Sequence, residues 1–442
     1  MIGTALRGIF TLPDLRKRVL ITFALLAVSR IGFWITVPGV NYDVIEEIAG
    51  RQAGTWIDFI GIVTGGRLTN ASIFSLGVMP YISASIIFTM LVKLVPSLER
   101  LQKEGPQGYR KIQQYERYAT VLICIIQSSF IVAWMTSVTA GNERLVPNAT
   151  FSFRLMAIVS MTAGTVFLMW LGEQITEFGI GNGISLLIMN GIVARMPGKF
   201  SMFISNIARA VRQGVNPAKE VTELAIFVLL FVGIVAFVVL ITQGQRRIPV
   251  QQQKQTRGRR VYGGMRYYLP LRVNQGGVMP IIFAQAILML PIAIISSIPG
   301  LQSIRFWFNY GTFWYIFAYV LLILFFEYFW TALVFNPIEM ANQLQEHGNF
   351  IPGIRPGRRT AEMLEYILNR VALAGGTFVA FIAIVPQIVS SLMGYDIFLA
   401  TILGGTGILI VVGVALEFVQ RVEAQLLARE YEGFMRKPMR GR

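Results

Sequence analysis

The chain has 442 residues, 54% of them hydrophobic and only 14% charged, with a mean hydropathy of +0.59. A water-soluble domain carries about a quarter charged residues, so most of this surface must face lipid. A single cysteine, Cys124, leaves no internal disulfide, and with a single histidine, His347, it argues against a Cys/His metal centre and histidine base catalysis, while the net charge of +16 calls for anionic lipid, RNA or an acidic partner.

Residues 1–18 are short and basic, without the h-region and small-residue cleavage site of a signal peptide. Apolar runs long enough to cross a hydrocarbon core of about 30 Å follow near 19–38, 72–95, 118–138, 153–171, 221–243, 277–299, 313–335, 371–392 and 397–419. A tenth, weaker run at 182–196 is closed by Arg195 and Pro197. With this run spanning and the N-terminus inside, the cytoplasmic segments are 1–18, 96–117, 172–181, 244–276, 336–370 and 420–442. They hold about 27 of the 39 basic residues, against about 9 outside. Omitting the weak run would export Arg246, Arg247, Lys254, Arg257, Arg259, Arg260, Arg266 and Arg272. The expected fold is therefore an all-α integral membrane protein of ten transmembrane helices with both termini cytoplasmic. Two five-helix halves, 19–196 and 221–419, flank an external loop at 197–220 and precede a tail at 420–442. The halves would be related by inverted topology, although no internal repeat marks it.

Several segments are not ordinary spans. Thr55–Asn70 (TWIDFIGIVTGGRLTN) is apolar but short and glycine-rich and carries Arg67, so it reads either as an interfacial half-helix or as a re-entrant helix filling a cavity. Gly61 and Gly65 within it have the spacing that permits close helix packing. GEQITEFGIGNGIS at 172–185 has GxGxG rather than GxGxxG and no preceding strand, which excludes a dinucleotide loop and leaves a tight turn. The two long basic loops mix Arg with Gly, Pro and aromatic residues. They suit a lipid-facing patch or, as their length favours, docking of a large partner. Glu173, Glu327 and Glu417 are the acids in or beside spans, each either functional or snorkelling.

From ASIFSLGVMPYISASIIFTML (71–91) onward, the chain resembles the SecY family of protein-translocation channels. The likeness continues in RKIQQYERYATV, FLMWLGEQITEFGIGNGIS, GQRRIPV, LPLRVNQGGVMP, ALVFNPIEMANQL, FIPGIRPGRRTAE and GGTGILIVV, in the family's order and over nearly the whole chain. The blocks are similar to the bacterial or plastid branch. This resemblance implies two halves around an hourglass pore whose constriction is an apolar ring, here Val78, Ile82, Ile184, Ile188, Ile282 and Ile410. The family usually has isoleucine at Val78, and valine makes the ring one methylene wider there. The 55–70 segment matches the family's plug, with Ile57, Phe59, Ile60, Gly61, Ile62, Gly65, Gly66 and Arg67. A lateral gate is implied between the second and third and the seventh and eighth helices, near Ser83, Gln127 and Asn182. Arg246, Arg247, Arg259, Arg260, Arg355, Arg358 and Arg359 match loops that engage the SecA motor or the ribosome. The resemblance further implies SecE and SecG as companion subunits, signal peptides and preproteins as clients, anionic lipids as surroundings and SecDF and YidC as further partners in the inner membrane.

No Walker A motif occurs, since the only Gly-Lys pair, Gly198–Lys199, is followed by Phe200. With no catalytic constellation, no cofactor and no metal site expected, the chain is read as a passive gated conduit and not an enzyme. A small-solute transporter would need polar clusters at mid-membrane, and an intramembrane enzyme would need a nucleophile with its base. Neither set is evident in the sequence.

Overall fold

The computed structural model describes residues 13–41, 44, 71–137, 139–140, 143–194, 196–212, 218–253, 255–257, 260–262, 264–284, 287–288, 312–393 and 405–436. They fall into two compact units, one of Met1–Leu224 with Val414–Arg442, the other of Ala225–Gly413. Five of the described helices are long and apolar enough to cross a membrane, six if a sharply bent pair counts as one span.

The first unit contains α1 (Pro13–Ile31), α2 (Met79–Leu94), α3 (Pro96–Lys103), α4 (Pro106–Ser137), α5 (Phe151–Phe178), α6 (Gly183–Val193) and α7 (Met196–Arg212). A short antiparallel pair, β1 (Thr139–Ala140) and β2 (Glu143–Arg144), joins α4 to α5. Helix α5 is the post around which α1, α2, α4 and α6 pack. Its first turn is closed by Thr150, whose hydroxyl accepts the Phe153 N–H at 3.3 Å. Small residues on its flank let neighbours approach, as is usual where helices meet in lipid. A Cβ on Gly164 would strike the Ile73 carbonyl.

The apolar run at 72–95 is helical only from Met79. Residues 71–78 are a chain of turns, almost all buried. Their backbone groups are satisfied without a helix: Val37 N–H donates to Ala71, Ile73 N–H to Ile35, Ser75 N–H to Ser72 and Gly77 N–H to Phe74, at 2.8–3.0 Å. Irregular backbone among membrane helices is tolerable only when enclosed in this way. At the other end Pro96 forces Val95 into an extended conformation, and α3 leaves α2 at 97°.

The second unit holds most of α8 (Ala218–Gln243), then β3 (Gln245–Gln252), β4 (Gln255–Arg257), β5 (Arg260–Tyr262), β6 (Arg266–Arg272), α9 (Phe313–Val334), α10 (Pro337–Glu346), β7 (Asn349–Phe350) and α11 (Arg358–Met393). The long helix α12 (Gly405–Arg436) begins in it and ends in the first unit. Residues 279–284 are also helical.

The fold is thus helical with a small β component that hydropathy did not foreshadow. Helices also outrun their apolar stretches. Helix α4 starts at Pro106 rather than near 118, and α11 at Arg358 rather than near 371. Hydropathy marks only the part of a helix that suits hydrocarbon, whereas backbone hydrogen bonding carries on into the polar part. For the same reason the turn expected at 172–181 shrinks to 179–182, because α5 continues to Phe178. The segment 197–220, expected as a connection, begins with α7.

Candidate functional site

The six positions expected to line an apolar waist all lie among the described residues, and none is exposed. Val78 and Ile82 are 3% and 7% accessible and stand one turn apart, the Ile82 N–H donating to the Val78 carbonyl at 3.1 Å. Ile184 and Ile188, both half-buried, form a second one-turn pair on α6. In the second unit Ile282 is half-buried and Ile410 is 6% accessible. The first four thus form two one-turn pairs, at the start of α2 and on α6, within one unit.

Helix α6 is held in place by features scattered along the chain. Asn182 caps it, accepting the Ile184 and Ser185 N–H groups at 3.0 and 3.3 Å. Gly183 lies so close to α5 that an added Cβ would overlap the Gly172 carbonyl. The Ile184 side chain leans into the notch that Gly172 leaves. Two turns further along, Asn190 donates to the Leu26 carbonyl at 3.0 Å and to the Ser29 hydroxyl at 3.1 Å, tying α6 to α1. The Thr22 hydroxyl accepts the Ile180 N–H at 3.1 Å. Hydropathy plots pass over Asn190, since one amide in an apolar run barely lowers the mean. Its polarity inside a short span was the available signal.

Ser83 and Gln127 are half-buried on α2 and α4, which pack against each other. The plug positions, Ile57, Phe59, Ile60, Gly61, Ile62, Gly65, Gly66 and Arg67, lie outside the described residues, as does Arg259.

The two basic loops prove to be one folded platform. Strand β3 pairs with β6 along its length and with β7 at its end, where Gln251 faces Phe350 and Gln252 faces Asn349. Ile248, Val250 and Leu271 point to one side and join Ile351, Leu364 and Leu368 in a shared hydrophobic core. The opposite side carries Arg247, Arg266, Tyr268 and Arg272, because residues paired at Arg247–Pro270, Pro249–Tyr268, Gln251–Arg266 and Gln245–Arg272 share a face. Period-two alternation in RRIPVQ and YYLPLR was the sequence signal for these strands. Arg246, Arg247, Arg355, Arg358 and Arg359 are all exposed on this platform, and Arg260 sits on β5. Arg355 lies in a turn pinned by the Thr360 hydroxyl, which donates to the Arg355 carbonyl at 3.0 Å.

The three acids separate cleanly. Glu173 on α5 accepts from Arg117 on α4 at 2.8 Å, and Glu417 takes Arg421 one turn along at 2.7 Å. Both are partly exposed pairs of small energetic weight. Glu327 does not snorkel: it is 0% accessible in the middle of α9. Among the described residues no group of His, Cys, Asp and Glu is placed to hold a metal, and Cys124 is a buried free thiol.

The family model described as SecY matches residues 72–419. The protein translocase subunit SecY of Thermotoga maritima is 41% identical over 446 residues, spanning 99% of each chain. That of Escherichia coli K12 is 41% identical over 437 residues, covering 96% of this chain and 95% of its own. Among solved structures, a protein-conducting channel superposes with a TM-score of 0.66 at 18% identity, over 96% of this chain and 95% of that one. Sec61 from a canine ribosome–channel complex gives 0.61 at 15%, with the same coverage. The structures share the fold, and the relatives share the sequence from end to end. On that full-length agreement, the chain belongs to the SecY family.

Proposed function

We propose that this chain is the central pore-forming subunit of a Sec translocon in the cell inner membrane. It is a passive gated channel that passes unfolded preproteins across the bilayer and releases membrane segments sideways into it. The observation that carries this reading is that similarity to protein translocase subunits runs the whole length of both chains, at 99% coverage. In this reading ten helices span with both termini cytoplasmic, in two inverted halves. Val78, Ile82, Ile184, Ile188, Ile282 and Ile410 form the waist. An apolar waist sheds water and so blocks ions at rest, while its aliphatic side chains yield to a passing chain. That none of the six is exposed supports it. Residues 55–70 act as the plug, and Ser83 and Gln127 border the lateral gate.

The platform of β3, β6 and β7 docks the SecA motor or the ribosome through Arg246, Arg247, Arg355, Arg358 and Arg359, with Arg259 and Arg260 nearby in sequence. That a structural neighbour is a channel bound to a ribosome supports the ribosomal arm. SecE and SecG complete the heterotrimer. Energy comes from the docked machine, which biases a two-state gate toward open, and the signal peptide adds the remaining differential binding. Proteoliposomes containing the complex and the motor test this. Import of a preprotein is the expected result. Uptake of labelled metabolites without preprotein import would refute it.

A further inference from the structure

Glu327 is the buried acid for which the conduit reading has no use. It sits on α9, fully enclosed, with Gly376 of α11 against its stem: a Cβ there would lie 3.2 Å from both Glu327 Cβ and Cγ. Its carboxyl reaches the turn at 273–277, where Oε1 accepts the Gly276 N–H at 3.3 Å. That turn is wedged against α11 so tightly that a Cβ on Gly375 would overlap the Val273 carbonyl. It leads directly into the helix at 279–284, which carries Ile282. The same helix meets α9 a second time through Phe283, whose ring stacks on Phe326 at 5.1 Å and lies 5.9 Å from Trp330.

We infer that Glu327 is a positioning residue for the gate: its carboxyl latches the 273–277 turn to α9 and so sets the height and rotation of the helix bearing Ile282. This rests on the channel reading above. A carboxylate is a costly side chain to bury in a membrane helix, and a purely structural contact there is served by an apolar residue. The latch is also incomplete. Among the described residues, Glu327 Oε2, Gln275 Nε2, Asn274 Oδ1 and Thr331 Oγ1 are buried with no hydrogen-bond partner. A bond at 3.3 Å beside unsatisfied neighbours is a hold that can be released, which suits an element that shifts when the waist opens.

Two substitutions break the latch from opposite sides. Glu327→Leu removes the acceptor, and Gly276→Ala places a methyl 2.7 Å from Glu327 Oε2. Glu327→Gln keeps an acceptor of the same shape. The complexes, in planar bilayers and proteoliposomes, are read for resting potassium chloride conductance and for import of a preprotein with a defective signal peptide. Glu327→Leu and Gly276→Ala should each raise both by up to about tenfold, the loss of roughly one hydrogen bond. Glu327→Gln should stay at the wild-type level. Wild-type conductance in both latch-breaking variants overturns the inference, as does a Glu327→Gln channel that leaks like Glu327→Leu. If Glu327→Leu does not accumulate, Gly276→Ala decides alone. A wild-type complex that imports no preprotein instead overturns the channel reading, so the two failures are distinguishable.

Discussion

Thr360→Val probes whether the platform works as a preorganised surface or merely as a cluster of charge. Thr360 is buried at the start of α11, and its hydroxyl donates to the Arg355 carbonyl at 3.0 Å. The turn between is anchored at its other end by Ile351, which lies in the platform core and whose carbonyl accepts the Ile354 N–H at 3.1 Å. Arg355 is thus displayed from a loop tied at both ends. Valine keeps the branched shape and removes the tie. Arg355 is exposed, so its carbonyl can recruit water, and the loss is that of an ordinary hydrogen bond, about 0.5–1.5 kcal/mol. That energy lowers the population of the displayed turn and, on the docking proposed above, affinity for the motor or ribosome, by about two- to tenfold. Two measurements check it: equilibrium binding to the purified complex, and amide hydrogen exchange across 352–357. Thr360→Ser, which retains the hydroxyl, serves as the control. If Thr360→Val binds like wild type while its 352–357 amides exchange faster, preorganisation does not matter and charge alone carries docking. If exchange is unchanged too, the hydrogen bond itself has been misjudged.

Three further outcomes follow from the same geometry. Arg355→Glu should abolish motor-driven export while leaving thermal unfolding in detergent unchanged, since the side chain is exposed and its loss removes charge-assisted bonds of about 1.5–3 kcal/mol; normal export would disprove docking there. Leu364→Ala, at the centre of the platform core, should cost about 2–5 kcal/mol locally and open the β3–β6 hairpin to trypsin at its arginines, with the membrane helices unaffected. Gly183→Ala should cost at least about 1–3 kcal/mol, because the new methyl meets the Gly172 backbone and α6 has to move away from α5; an unshifted melting temperature would contradict that close approach.

The membrane class of this chain and its family were legible in the residues alone. Partition into lipid depends on local composition, and the blocks that carry the resemblance are contiguous. The six positions proposed for the waist were singled out only by resemblance, for an isoleucine facing a pore has the same residue pattern as one facing a core. What could not be read were arrangements set by residues far apart in sequence. The non-helical turns at 71–78 exist because Val37, Ile35 and the bare flank of Gly164 receive them, so an apolar run that looks like one helix becomes a turn and then a helix. The two basic loops look alike and separate in sequence, yet backbone bonds between β3 and β7 and one shared core make them a single surface. Glu327 looked as ready to snorkel as to act, and only the neighbouring turn and helix α11 enclose it. Composition decides which solvent a segment prefers. Which hydrogen-bond partner each polar group finds there is a property of the folded chain, because those partners are brought within reach only when distant segments pack.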